Sequence, residues 1–160
     1  MFTFDLQRFW RDAESTQYRG HRRWSGNWGR LWIDGDLVFE LQSFELKTIA
    51  DRDDVYIEGD KDSKIVSLTG EGEIVIKKVF NRGFSNMLEQ WKSGHDVRLS
   101  MVAALNDPDM LHEGEERIEV DNVWFDELEI IKFTKAEVVE TTIPIHFTPN
   151  DLRYTNTVER

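Results

Sequence analysis

The sequence predicts a mainly β fold, an antiparallel β-sandwich or small barrel of six to seven strands with one flanking α-helix. Three observations carry that prediction. Ile65–Phe80 alternates with period two: Val66, Leu68, Ile74, Ile76 and Phe80 share one parity, and Ser67, Thr69, Glu71, Glu73 and Lys77 the other. Asp34-Gly35-Asp36 separates two apolar runs, a tight-turn signal because glycine accepts positive φ. Phe84–Ser93 alone repeats apolar residues at i, i+3, i+4 and i+7, through Phe84, Met87, Leu88 and Trp91.

Taken in order, residues 1–29 lack periodicity and read as an N-terminal arm, with Arg19, Arg22 and Arg23 beside Tyr18, Trp24 and Trp28. Residues 30–150 read as the β-domain and 151–160 as a polar tail. Arg30–Asp34 and Leu37–Ile49 make the first hairpin. Leu37, Phe39 and Leu41 share one parity, Phe44 and Leu46 the other, so a bulge is expected near Gln42–Ser43. Asp51–Lys64 reads as a charged connection around a small apolar island, Val55–Ile57. Ile65–Phe80 would reach roughly 50 Å if continuous, with Gly70 and Gly72 expected to mark a bend or bulge. A strand that overhangs a domain this small points to partners in other subunits. Gly94 stops the helix. His95–Leu105, Arg117–Phe125, Leu128–Lys135 and Glu137–Phe147 complete the strands. Pro144 has no N–H to give a ladder, which puts the last one at an edge or a bulge.

The 160 residues suit one domain, and 39% hydrophobic with 32% charged content is that of a folded chain rather than a disordered one. There is no cysteine, which excludes disulfides and thiolate metal sites. No apolar run has membrane-spanning length, and residues 1–10 carry Asp5 and Arg8 where a signal peptide is apolar. No membrane anchoring is expected, and the chain is expected to be made and kept in a cytoplasm. Net charge is −11; six arginines against Asp5, Asp12 and Glu14 leave residues 1–30 at +3 and the rest at −14. An acidic body repels nucleic acid. The basic, aromatic arm suits stacking on nucleic acid, but the acidic body favours its docking on a neighbouring subunit.

No catalytic constellation emerges. His21, His95, His112 and His146 lie in separate segments without ligand spacing. Asp51, Asp53, Asp54, Asp60 and Asp62 do not follow the EF-hand pattern, and the closing bidentate Glu is missing. Glu71 and Glu73 share one strand face but lack any sign of a pocket that would raise one pKa. No enzyme activity, cofactor or metal is expected. Trp24, Trp28 and Trp32 admit a carbohydrate-binding β-sandwich module as a rival reading, against packing at subunit contacts, where tryptophan is enriched.

Ser25-Gly26-Asn27-Trp28-Gly29-Arg30-Leu31-Trp32-Ile33-Asp34-Gly35, then Phe44-Glu45, Thr69-Gly70-Glu71-Gly72, Lys78-Val79 and Gly114-Glu115-Glu116-Arg117-Ile118 occur in that order. In this the chain resembles the tail tube proteins of contractile-tailed phages, defective prophages and R-type phage-tail-like bacteriocins of Gram-positive bacteria, over roughly residues 25–150. Residues 1–24 are longer and more aromatic than that pattern.

The resemblance implies a structural subunit of an inner tail tube. Six copies would form a ring whose long strands join one continuous barrel between subunits, and rings would stack into a hollow conduit for DNA or ions. Partners would be further copies of itself, the sheath, tape measure, baseplate and tail terminator proteins, with DNA passing unbound. The protein would belong to a virion tail or bacteriocin particle assembled in the host bacterial cytoplasm. A type VI-like secretion tube subunit is the second structural reading. Ser67, Thr69, Glu71 and Glu73 are the lumen-facing candidates. Arg22, Arg23, Trp24, Trp28, Asp53, Asp54, Tyr56, Asp60 and Lys61 are the intersubunit candidates.

Overall fold

Eight strands form two antiparallel sheets in the computed structural model, which describes residues 23–79, 81, 83–109 and 115–157. The strands are β1 (Gly29–Ile33), β2 (Asp36–Leu37), β3 (Leu41–Ile57), β4 (Asp60–Lys77), β5 (Leu99–Asn106), β6 (Glu115–Val123), β7 (Glu140–Phe147) and β8 (Leu152–Asn156). Among the described residues there is one α-helix, α1 (Phe84–Lys92), which follows β4. The five-stranded sheet runs β2-β1-β5-β6-β8 and the three-stranded sheet β3-β4-β7. This is a sandwich with a flanking helix; neither sheet closes into a barrel.

The core lies between the sheets. Leu31, Met101, Val120 and Val123 of the larger sheet meet Ile74, Ile76, Ile143, Ile145 and Phe147 of the smaller, and all are buried. Met87 closes one side from α1, and Phe84 and Trp91 pack against the same cluster. Asp34 and Gly35 turn the first hairpin at φ of 49° and 88°. Gly94 ends the helix at φ of 84°, where a side chain would be strained. The register slips between Leu41 and Ser43, as the change of phase predicts. Pro144 sits on β7, an edge of the three-stranded sheet.

Gly70 and Gly72 differ from expectation. The β3–β4 and β4–β7 registers run through both without a break. They are small because other atoms need the space. A Cβ on Gly70 would stand 2.5 Å from the Phe147 carbonyl oxygen and 2.6 Å from its ring. One on Gly72 would collide with the Glu45 carbonyl oxygen. Fully burying Phe147 is worth about 1.5–3 kcal/mol, against about 0.5–1 kcal/mol for a glycine inside a strand, so the exchange favours the fold.

Three segments depart from the sequence reading. Asp51–Lys64 is no loop: β3 and β4 continue through it to a two-residue turn at Glu58-Gly59. Leu128–Lys135, expected as a strand, belongs to neither sheet. Leu152–Asn156, expected as a tail, is β8 and pairs with β6. The apolar parity of β4 is also buried only from Gly70 onward. Val66 and Leu68 are 58% and 50% exposed, because β7 ends opposite Gly70 and nothing covers that level. Phe80, His21, His112, Gly114 and residues 1–22 of the arm fall outside the described residues.

Gly70→Val should therefore lower the free energy of unfolding by about 1–3 kcal/mol through overpacking against Phe147. Gly26→Ala, with nothing within 4 Å of its Cβ position, should change it by less than about 0.5 kcal/mol. Urea titrations of the two variants that coincide would show that Gly70 is not held small by Phe147.

Candidate functional site

The long hairpin is built from two strands that outrun their sheet. β7 pairs only with Gly70–Lys77. Beyond that level β3 and β4 have only each other, and every residue from Asp51 to Thr69 is exposed. The seven residues of Asp51–Ile57 carry the hairpin about 20 Å outward at roughly 3.3 Å each. An isolated two-stranded ribbon is marginal in water.

Antiparallel pairing places partners on one face. On one face stand Glu45 opposite Glu73, Lys47 opposite Glu71, Ile49 opposite Thr69 and Asp51 opposite Ser67. Past the register slip at Asp51/Arg52 the same face continues with Asp53 opposite Lys64, Val55 opposite Asp62 and Ile57 opposite Asp60. The other face starts at Phe44 and Ile74 in the core and runs out through Ala50 and Leu68, then Arg52 and Ile65, Asp54 and Ser63, and Tyr56 and Lys61. One face is thus acidic, with seven carboxylates against Lys47 and Lys64 and with Ile49, Val55 and Ile57 among them. The other carries apolar groups of the core out through Ala50, Leu68, Ile65 and Tyr56 among Arg52, Asp54, Ser63 and Lys61.

The structure brings the four lumen candidates, Ser67, Thr69, Glu71 and Glu73, onto the acidic face together. The hydroxyls of Ser67 and Thr69 both donate to Asp51 Oδ2, at 2.8 and 3.1 Å. Glu71 pairs with Lys47 at 3.2 Å. Lys47, Asp51 and Glu45 were not among the lumen candidates read from the sequence. They lie on β3, and only the register places them beside β4; the signal was their alternation with Leu46, Thr48 and Ala50.

The intersubunit candidates divide. Asp53, Asp54, Tyr56, Asp60 and Lys61 are exposed in the distal half of the hairpin, Asp53 and Asp60 on the acidic face and the other three on the opposite one. Lys61 Nζ pairs with Asp54 Oδ2 at 2.9 Å. Arg23, Trp24 and Trp28 lie elsewhere, at the start of the described residues. There the Ser25 N–H donates to buried Asp107 at 2.9 Å, and Gly26–Trp28 makes one 3-10 turn into β1. Trp28 and Trp32 line a shallow cleft of about 290 Å³ with Arg30, Asn106, Pro108 and Glu115. Arg22 is outside the described residues.

A second cluster was not legible. The Arg98 guanidinium lies 4.4 Å over Trp124, Trp124 stacks on His146, and His146 Nε2 meets Asp126 Oδ2 at 2.8 Å. This row pins the end of β6 to β7 through the Trp124–His146 bridge. Among the described residues no group of three or more His, Asp or Glu is placed to hold a metal ion. The aspartates of 51–62 alternate along a ribbon and do not converge.

Lys47 shows the field of the acidic face. Its hydrogen bond to Glu71, then the charges of Glu71, Glu45 and Glu73, hold its ammonium above the ordinary 10.5. A raised folded pKa stabilises below the ordinary value, and that contribution is lost as pH rises through the folded one. Glu71→Gln should move the Lys47 titration midpoint back down toward 10.5, followed by NMR of its side chain. A midpoint that stays put would mean Glu71 does not hold the ammonium.

The sequence matches the family described as "Phage tail tube protein" over residues 16–153. "Phage-like element PBSX protein XkdM" of Bacillus subtilis (strain 168) is 28% identical over 131 residues, covering 80% of this chain and 88% of that protein. "Uncharacterized protein YqbM" of the same strain is also 28% identical over 131 residues, with the same coverage. A chain of the anti-feeding prophage (AFP) baseplate, solved by cryo-EM with 6-fold symmetrisation, superposes with a TM-score of 0.56. That match covers 80% of this chain and 91% of the other at 6% identity, a likeness of fold. The protein is a structural component of a phage-tail-related particle rather than an enzyme, and the chain belongs to the phage tail tube protein family.

Proposed function

We propose that the chain is the inner-tube subunit of a contractile phage tail or phage-tail-like particle, stacking as hexameric rings into a hollow conduit for DNA or ions. The observation that carries this reading is the two-faced hairpin that leaves its own sandwich. Its core-side face exposes Leu68, Ile65 and Tyr56, which need cover from another subunit. Its opposite face carries most of the carboxylates and the Ser67 and Thr69 hydroxyls, with Ile49, Val55 and Ile57 between them, and suits a wet wall.

In this reading Ser67, Thr69, Glu71 and Glu73 line the lumen, with Asp51 and Glu45 from β3 beside them. Their carboxylates repel phosphate, so DNA slides without sticking, and they admit cations. Asp53, Asp54, Tyr56, Asp60 and Lys61 reach the adjacent ring, and Arg22, Arg23, Trp24 and Trp28 dock on an acidic neighbouring subunit. The outer edges of the three-stranded sheet, β3 and the part of β7 beyond the Trp124–His146 bridge, join those of neighbours, which removes edges that otherwise invite uncontrolled pairing. A sheath protein surrounds the tube, a tape measure fills it during assembly in the host cytoplasm, and baseplate and terminator proteins close its ends.

Negative-stain electron microscopy of concentrated protein, with mass from light scattering, should reveal six-fold rings or hollow tubes. A monomer at every concentration, also when seeded with tail particles, would defeat the reading. Glu71→Lys combined with Glu73→Lys should still fold and form tubes, but pass DNA or ions poorly. An insoluble double variant would place the two glutamates at a contact instead of the lumen.

A further inference from the structure

Two apolar features remain partly open to solvent at the margin of the core. The first is the segment 128–135 before β7. Leu128 packs on the core, but Ile130, Ile131 and Phe133 are 63%, 75% and 68% exposed. Its composition is that of a strand, yet it belongs to neither sheet. The second is an open groove of about 580 Å³ between the first part of β3 and the five-stranded sheet. Leu41, Phe44, Leu46, Ala103, Leu105 and Ile118 line it.

The two do not meet within one chain here: no residue of the segment lines the groove. The segment is tied to β7 at both ends, by the Trp124–His146 bridge before it and by Glu140 after it. The groove opens beside β3, and β4 separates β3 from β7. A patch on one edge of a sheet and its complement on the other edge make a heterologous contact, the kind that closes into a ring when the rotation allows. Both surfaces carry charges of each sign: the groove has Arg30 and Glu116, and the segment has Glu129, Lys132 and Lys135.

We propose that segment 128–135 of one copy seats Ile130, Ile131 and Phe133 in the β3-side groove of a second copy, and that this contact closes the ring alongside the sheet edges. It rests on the ring-forming reading above and names the surfaces that meet. The partner is a second copy because this chain supplies both halves, an apolar segment leading into edge strand β7 and an apolar groove beside the opposite edge strand β3.

The chain has no cysteine, so disulfide mapping starts from a clean background. Ile131→Cys and Ser43→Cys, the latter lining the groove, are made as single variants, mixed and oxidised. The mixture should give a disulfide-linked dimer holding one of each variant, and a chain bearing both changes should give a ladder of linked oligomers. Ile131→Asp with Phe133→Asp should retain the wild-type circular dichroism and lose rings and tubes. Wild-type rings together with unimpaired rings of the aspartate variant, or no mixed disulfide in assembled samples, would overturn this contact and leave the tube reading standing. A wild-type chain that never assembles would defeat both. Should the aspartate variant misfold, the disulfide pair still decides.

Discussion

The pairing of β3 with β4 begins in the core and ends at a turn far outside it, and the rest of the molecule is arranged around that ladder. At the inner end β7 adds a third strand and Phe147 presses onto Gly70, where no side chain is tolerated. The five-stranded sheet and α1 then cover Ile74, Ile76 and their neighbours. At the outer end no layer remains, so the same two strands pass from core wall to bare ribbon within a few residues. The register slips at Leu41/Ser43 and Asp51/Arg52 bracket that passage. Bulges sharpen local twist, and these two stand where the strands enter the core and where they leave it.

The ribbon's charge follows from its exposure. A row of carboxylates on one strand face is affordable only in water, where each keeps its hydration and repulsion is screened within about 8 Å at physiological salt. Lys47 relieves the row at Glu71, and Asp51 accepts from Ser67 and Thr69. Between core and tip the face is therefore ordered by side-chain bonds across the strands, while the opposite face holds apolar groups without cover. In the proposed tube, the acidic face would stand toward water and the Leu68, Ile65 and Tyr56 side toward other subunits.

Much of this was legible. The alternation in β4, the phase slip at Gln42–Ser43, the helix stripe with its glycine stop and the edge position of Pro144 are local patterns with local causes. The grouping of Ser67, Thr69, Glu71 and Glu73 on one face was legible too, because strand parity alone fixes it. Their partners were not. Lys47 and Asp51 belong to another strand, and a shift of one residue in register would have sent them to the other face.

By itself, the sequence determined the strand and helix periods, the turns that need glycine and the acidic parity of β4. These depend on neighbours a few positions away. Tertiary structure decided the rest. Asp51–Lys64 reads as a loop because a strand with no buried face has no apolar alternation to show. Its strand state comes from the ladder that starts inside the core. Leu128–Lys135 has the β-branched and aromatic composition of a strand and stays outside both sheets, since composition favours an extended chain and does not specify a partner edge. Gly70 and Gly72 are small for Phe147 and for the Glu45 backbone, contacts made across the sheet by residues distant in sequence.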